Sequence, residues 1–223
     1  MKLELWFLAA LLALPLFASA AGLPGDAAPD PDWRELVKNG QLVEIAKVDP
    51  GIRIELRYAT TRNAVGVALY PPDFPCLVRP ATAQKLLAAQ RALRATGRGL
   101  KIWDAYRPLS VQRELWRRVQ KRGYVANLES GPLGRAAFHC EGLAVDVTLV
   151  DAATGAELPL PTDFDVFTAG ARGIYRGPNP EIKTNLHLLH RAMVDAGFLA
   201  QFREWWHFTA RDRRKFAPLA PTL

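Results

Sequence analysis

The chain carries four histidines, His139, His187, His190 and His207, and two cysteines, Cys76 and Cys140. So few thiols exclude a Cys-only zinc module and a disulfide-dense scaffold, so any metal must be held by imidazole and carboxylate. Two short segments meet that demand. In His139-Cys140-Glu141-Gly142-Leu143-Ala144-Val145-Asp146 a histidine sits in the loop entering a strand and an aspartate lies within the strand. Val145, Val147 and Leu149 share one face, which leaves Asp146 on the other with the small side chains Ala144 and Thr148, bordering a cavity. Gly142 permits the bend that brings His139 back over Asp146. In Glu204-Trp205-Trp206-His207-Phe208 adjacent aromatics form a dry wall, and desolvation there alters the basicity of Glu204 and His207.

Together His139, Asp146 and His207 supply two neutral imidazoles and one carboxylate, a catalytic zinc set with its fourth position left for water. One Zn2+ per chain is expected, with Glu204 as general base. Ideal strand geometry would put Glu204 and His207 on opposite faces, so Glu204 must stand at a bend or bulge. A third segment, Asp104-Ala105-Tyr106-Arg107-Pro108, places Arg107 in extended backbone before a proline, where a guanidinium can reach a cavity. His187 and His190 lie three apart on a helix whose buried face is Leu186, Leu189 and Met193, with no carboxylate at a suitable spacing. Both read as surface residues. Cys140 reads as a packing residue or as half of a disulfide with Cys76.

These segments need a framework. Ile52, Ile54, Leu56 and Tyr58 alternate with Arg53, Glu55 and Arg57, which predicts a half-buried strand with one wet face. Residues 60–80 read as loop, 82–96 as a helix stopped by Gly97, and 100–104 as a short strand. A helix opens at Ser110, with Val111, Leu115 and Val119 on one side and Gly123 as terminator. A strand over 143–150 turns at 151–155, and 156–160 returns as its partner. After a Gly- and Pro-rich loop over 161–180, Asn179-Pro180 caps a helix to Ala196, and a last strand covers 204–209. The mixture predicts an α+β fold with a small antiparallel sheet.

Lys2, the apolar run Leu5 to Phe17 and Ala18-Ser19-Ala20 read as a secretory signal cut after Ala20, and the run is shorter than the roughly 20 apolar residues of a membrane span. Residues 21–31 are a flexible lead-in rich in Gly and Pro, and 32–223 form a single domain. A secreted or periplasmic product is expected, without stable membrane insertion once the signal is removed. The net charge of +7 is densest at Arg117, Arg118, Lys121 and Arg122 and at Arg211, Arg213, Arg214 and Lys215. No exposed aromatics interleave these groups, so they read as a solvated surface attracted to anionic envelope polymers and not as a nucleic-acid site.

Taken in order, Asp104-Ala105-Tyr106-Arg107-Pro108, His139-x-x-Gly142-x-Ala144-Val145-Asp146 and Glu204-Trp205-Trp206-His207 resemble the zinc D-alanyl-D-alanine dipeptidases of the VanX type. The likeness runs from Tyr58-Ala59-Thr60 through Phe164-Asp165 to His207, and it implies a small central antiparallel sheet flanked by helices, with the zinc site in the sheet groove. It implies His139, Asp146 and His207 as zinc ligands, Glu204 as catalytic base and Arg107 as stabiliser of the tetrahedral intermediate. It further implies Tyr58 and Asp165 as the pair that receives the ammonium of a small D,D-dipeptide. The chain departs from the pattern at Ala137, where the family has a substrate-associated Ser. Rival expectations are a D,D-carboxypeptidase acting on longer peptidoglycan stems and a zinc-bearing binding module without catalysis.

Overall fold

A computed structural model of the chain describes residues 29–130 and 137–219. The expected signal segment, 1–20, lies outside the described residues. The helices are α1 (Trp33–Lys38), α2 (Ile45–Val48), α3 (Pro80–Arg94), α4 (Leu109–Val119) and α5 (Pro180–Asp195). The strands are β1 (Val43–Glu44), β2 (Arg53–Ile54), β3 (Leu77–Val78), β4 (Arg98–Asp104), β5 (Ala144–Asp151), β6 (Phe198–Ala200) and β7 (His207–Ala210). Among the described residues, no helix is long and apolar enough to cross a membrane.

The α+β class is as expected, with a five-stranded sheet in the order β2-β4-β5-β7-β6 and a two-stranded ribbon of β1 and β3. The large sheet is mixed, because β2 runs parallel to β4. The chain between them crosses over through α3, the kind of long connection a parallel neighbour requires. The other neighbours, β4 with β5, β5 with β7 and β6 with β7, are antiparallel. Val145, Val147 and Leu149 are fully buried in one core with Leu100, Ile102 and the apolar sides of α3 and α5, among them Leu86, Leu93, Leu189 and Met193. α5 starts as its residues demand: the Asn179 side chain accepts from Glu181 N, and Pro180 takes the first helical position, where its missing N–H costs nothing.

Several expected elements differ. The strand expected over 52–58 is reduced to β2, followed by a short 3-10 turn at Arg57–Ala59. Ile52, Leu56 and Tyr58 are buried as the alternation predicts, but Arg57 on the supposed wet face is fully buried. It is drawn inward by Glu55, Glu157 and Asp163 at 2.9, 3.0 and 3.2 Å and lies over the Trp103 ring. α4 ends before Gly123, because Gln120 adopts the left-handed conformation at φ 48° and its N–H closes on Trp116 O. The return of 156–160 amounts to a bridge between Val150 and Glu157. Cys76 and Cys140 are both buried free thiols, and burial pushes the Cys140 thiol up to about 12.

Candidate active site

The sheet register assembles the site. Asp146 on β5 lies directly opposite His207 on β7, and on its other side it pairs with Asp104 at the end of β4. The last pairing exists because β4 carries one extra residue between Ile102, opposite Val147, and Asp104. Without that bulge Asp104 would face the core with Ile102, since side chains alternate along a strand. With it, Asp104, Asp146 and His207 form one row across the sheet.

His139 reaches the row from a 3-10 turn over Phe138–Glu141, whose C-cap Gly142 has φ 63°. A Cβ at Gly142 would come within 2.7 Å of Leu42 Cδ2 and 3.1 Å of the Arg79 backbone nitrogen, so glycine is required both for the conformation and for the space. The expected bend is present. His139 Nε2, His207 Nδ1 and Asp146 Oδ1 converge at 3.1, 2.9 and 3.4 Å from one another. Ligands about 2.0–2.1 Å from a tetrahedral zinc are separated by about 3.3 Å, so the triangle has the right size. The remaining nitrogens are engaged: His139 Nδ1–H donates to Ala105 O at 2.8 Å and His207 Nε2–H to Thr209 Oγ1 at 3.1 Å. The convergent nitrogens are the ones left for a cation, which would displace the proton that Asp146 favours on His139 against burial. Asp146 is the ionised partner. Burial opposes its charge, but the two imidazoles pull its carboxyl below the usual range. Burial outweighs Asp146 at His207 and lowers its pKa, which keeps that ring neutral.

Glu204 precedes a Trp205-Trp206 turn, and His207 N donates to Glu204 O at 3.2 Å. This turn is the bend that the opposite-face argument required. The Glu204 carboxyl is buried and shares one cavity with the three ligand atoms. Burial, followed by repulsion from Asp146 and Asp165, raises its pKa well above the ordinary value, with Arg107 opposing. His190, expected at the surface, is half-buried, and its Nε2–H donates to Trp205 O at 3.0 Å. It braces the turn that carries Glu204, which explains why a polar residue tolerates the border of the buried face. His187 is exposed as expected.

Arg107 is buried beside the row. Its Nε and Nη2 donate to Asp104 Oδ2 at 3.0 and 2.6 Å, and its Nη1 donates to Gln112 Oε1 at 2.6 Å. Burial alone would lower its pKa, but Asp104, Tyr58, Tyr70 and Asp146 together outweigh burial and raise it well above the ordinary value. Asp104 also accepts from Tyr70 OH at 2.6 Å. Tyr58 and Asp165, far apart in the chain, meet: Asp165 Oδ2 accepts from Tyr58 OH at 2.9 Å and from Ala64 N at 3.1 Å. Burial lifts the Asp165 carboxyl to about 7. Tyr58, Arg107, Gln112 and Asp165 line, with Glu204, His139, Asp146 and His207, a cavity of about 420 Å3, within the size range of small-ligand sites. Ala137 lines it too, as does Arg213.

Sequence reasoning overlooked the supporting residues Asp104, Gln112 and Thr209. Asp104 carried one available signal, a carboxylate three residues before an arginine at a strand end. Thr209 carried another, since it stands two residues after a ligand in the same strand and so on the same face.

A family model for peptidase M15, described as D-ala-D-ala dipeptidase, matches residues 38–219. A D-alanyl-D-alanine dipeptidase of Escherichia coli (strain K12) is 31% identical over 180 residues, 81% of this chain and 90% of the relative. A D-alanyl-D-alanine dipeptidase of Enterococcus faecium is 27% identical over 176 residues, 73% and 87% of the two chains. A third, from Streptomyces coelicolor, is 27% identical over 194 residues, 78% and 93%. The matched span begins at the end of α1, continues past β7 and takes in every residue of the row and of the cavity, so this chain belongs to the peptidase M15 family of D-Ala-D-Ala dipeptidases.

Proposed function

We propose that the chain hydrolyses the free D-Ala-D-Ala dipeptide, with zinc held by His139, Asp146 and His207. The observation that carries this reading is the convergence of three ligand atoms beside the buried Glu204 carboxyl in one cavity. Two imidazole nitrogens and one carboxylate oxygen, with no thiolate, suit a catalytic zinc. When bound, zinc supplies Lewis acidity that brings a water's pKa to about 7 and polarises the scissile carbonyl. Glu204, made more basic by desolvation, takes the proton of the attacking water and returns it to the amine nitrogen as the peptide bond breaks. Arg107 faces the oxygen that gains charge as the carbonyl carbon becomes tetrahedral. Because Asp104 and Gln112 already fix its guanidinium, little reorganisation is needed when that charge appears.

Asp165, with Tyr58, receives the substrate's ammonium. This pair favours a free dipeptide over a longer stem peptide, whose acylated nitrogen would leave a buried carboxylate without its charged partner at a cost of several kcal/mol. In the same reading residues 1–20 are a signal cut after Ala20, residues 32–223 are one domain, and the product is secreted or periplasmic. The composition of Leu5 to Ala20 supports this.

Purified chain should release D-alanine from D-Ala-D-Ala, lose that activity to a chelator and regain it with zinc. Glu204→Ala should keep its zinc and lose on the order of 10²- to 10⁴-fold in kcat, the usual contribution of a positioned acid–base group. Failure of the zinc-loaded chain to cleave the dipeptide would refute the reading. Faster cleavage of an N-acylated D-Ala-D-Ala would replace it with the carboxypeptidase. Mass spectrometry of the chain from its native host should give an N-terminus at Ala21.

A further inference from the structure

The free dipeptide is a zwitterion, and the groups above answer its ammonium and its scissile carbonyl but not its terminal carboxylate. A carboxylate taken out of water needs a cation or several donors. The described residues lining the cavity include two arginines, Arg107 and Arg213, and no lysine. Arg107 is committed to Asp104 and Gln112, and its Nη2 lies 3.9 Å from Asp146 Oδ2. Arg213 is half-buried, its Nε is shielded from solvent without a hydrogen-bond partner, and among the described residues it forms no ion pair. Its guanidinium carbon lies 5.1 Å from the centre of the Phe138 ring, on the residue next to the ligand His139. The group is therefore aimed at the cavity wall that bears Ala137, and is not part of the solvated basic surface that its sequence neighbours suggest.

The backbone around Arg213 is anchored on both sides. Lys85 Nζ pairs with Asp212 at 3.0 Å, Arg79 Nη2 donates to Ala217 O at 2.6 Å, and Leu219 N donates to Glu141 Oε2 at 2.8 Å. An arginine on a held backbone, with its guanidinium already resting over the Phe138 ring, loses less freedom when it binds than one free in solvent. Position 137, which also lines the cavity, carries no hydroxyl that could serve a carboxylate, and Ala137 packs with Leu109 and Cys140.

We propose that Arg213 receives the terminal carboxylate of the substrate, through the paired N–H bonds that a guanidinium offers a carboxylate. The assignment rests on the dipeptidase reading and adds the recognition of the substrate's second charged end. It makes the site selective for peptides that end in a free acid immediately after the scissile bond.

The test compares D-Ala-D-Ala with its C-terminal amide on zinc-loaded wild type, Arg213→Ala and Arg213→Lys. The amide is followed as a substrate and also as an inhibitor of dipeptide hydrolysis, so its affinity is measured even where it is cleaved slowly. Arg213→Ala should lower kcat/KM for the acid about ten- to a hundred-fold, chiefly through KM, the range expected for losing a charged hydrogen bond. The amide's affinity should change less than about two-fold, and Arg213→Lys should regain part of the preference, because its charge lacks the planar fork. Calorimetric binding of the dipeptide to zinc-loaded Glu204→Ala, with and without Arg213→Ala, should give the same loss without turnover. An equal fall for acid and amide, or no fall for the acid, overturns the assignment while leaving the dipeptidase intact. A wild type inactive on the dipeptide overturns both.

Discussion

Replacing Asp104 with asparagine strikes the support beneath the site while leaving His139, Asp146 and His207 in place, although Asp104 Oδ2 also lies 3.3 Å from His139 Nδ1. The Asp104 side chain has no exposure and that of Arg107 only 8%, so their 2.6 Å contact is almost unscreened by water. Asparagine keeps the shape and one acceptor, yet sets an uncharged amide where Arg107 Nε, Arg107 Nη2 and Tyr70 OH converge. The guanidinium is left as a buried cation without its counter-charge, which costs about 3–5 kcal/mol when one partner of such a pair is removed. In a chain of this length that lowers Tm by about 10 °C. A guanidinium displaced by about 1 Å from the developing oxyanion costs on the order of 10²-fold in rate. Urea unfolding, metal analysis and kcat on D-Ala-D-Ala should therefore show a destabilised, zinc-replete and slow enzyme. Adding Arg107→Met to Asp104→Asn removes the stranded cation, and should restore part of the stability and none of the activity. If Asp104→Asn stays within about 1 kcal/mol of wild type at near-normal kcat, the pair does not carry the load described and the reasoning fails.

Alanine at His139, Asp146 or His207 should abolish stoichiometric zinc binding whereas His187→Ala retains it; full metal content in His207→Ala would end the assignment. Thr209→Val removes the acceptor of His207 Nε2–H and should weaken zinc binding about 10- to 100-fold in a competition titration with a chelator, the usual cost of losing a partner behind a ligand. Burial raises the Asp165 carboxyl to about 7, so the folded chain keeps a proton that the unfolded chain releases near pH 4. The stability this confers is full below about pH 4 and is lost as pH rises through about 7. Metal-free wild type should lose stability relative to Asp165→Asn as pH is raised across that window, and parallel curves would contradict the buried carboxyl.

The convergence of His139, Asp146 and His207 and the placement of Glu204 beside them were legible because each depends on a local pattern: a glycine-bent entry into a strand, an aspartate among small residues, an acid and a histidine around two tryptophans. The bend at Glu204 followed from strand alternation alone, and the Trp205-Trp206 turn provides it. What escaped depends on contacts between distant parts of the chain. The parallel placement of β2 follows from the crossover through α3, and a dipeptide of alternating pattern does not reveal its neighbour. Arg57 read as wet because its carboxylate partners Glu157 and Asp163 lie about a hundred residues away. The extra residue in β4 that turns Asp104 toward the site leaves no mark in composition, since it exists only in the register against β5. His190 read as a surface group because its partner is a backbone carbonyl on another element.

One backbone bond and one bond from the imidazole tie the Arg107 segment to His139 in opposite directions: Arg107 N donates to His139 O at 3.1 Å, and Ala105 O accepts from the His139 ring at 2.8 Å. The segment 105–107 and the turn at His139 consequently move as one body. Substitutions that shift either segment displace metal ligand and guanidinium together, so their effects on zinc affinity and on turnover should be strongly epistatic. A lineage adapting to a new substrate has little room to retune one without disturbing the other. Its accessible mutations lie instead on the cavity wall outside both segments, at positions such as Leu199 and Gln201.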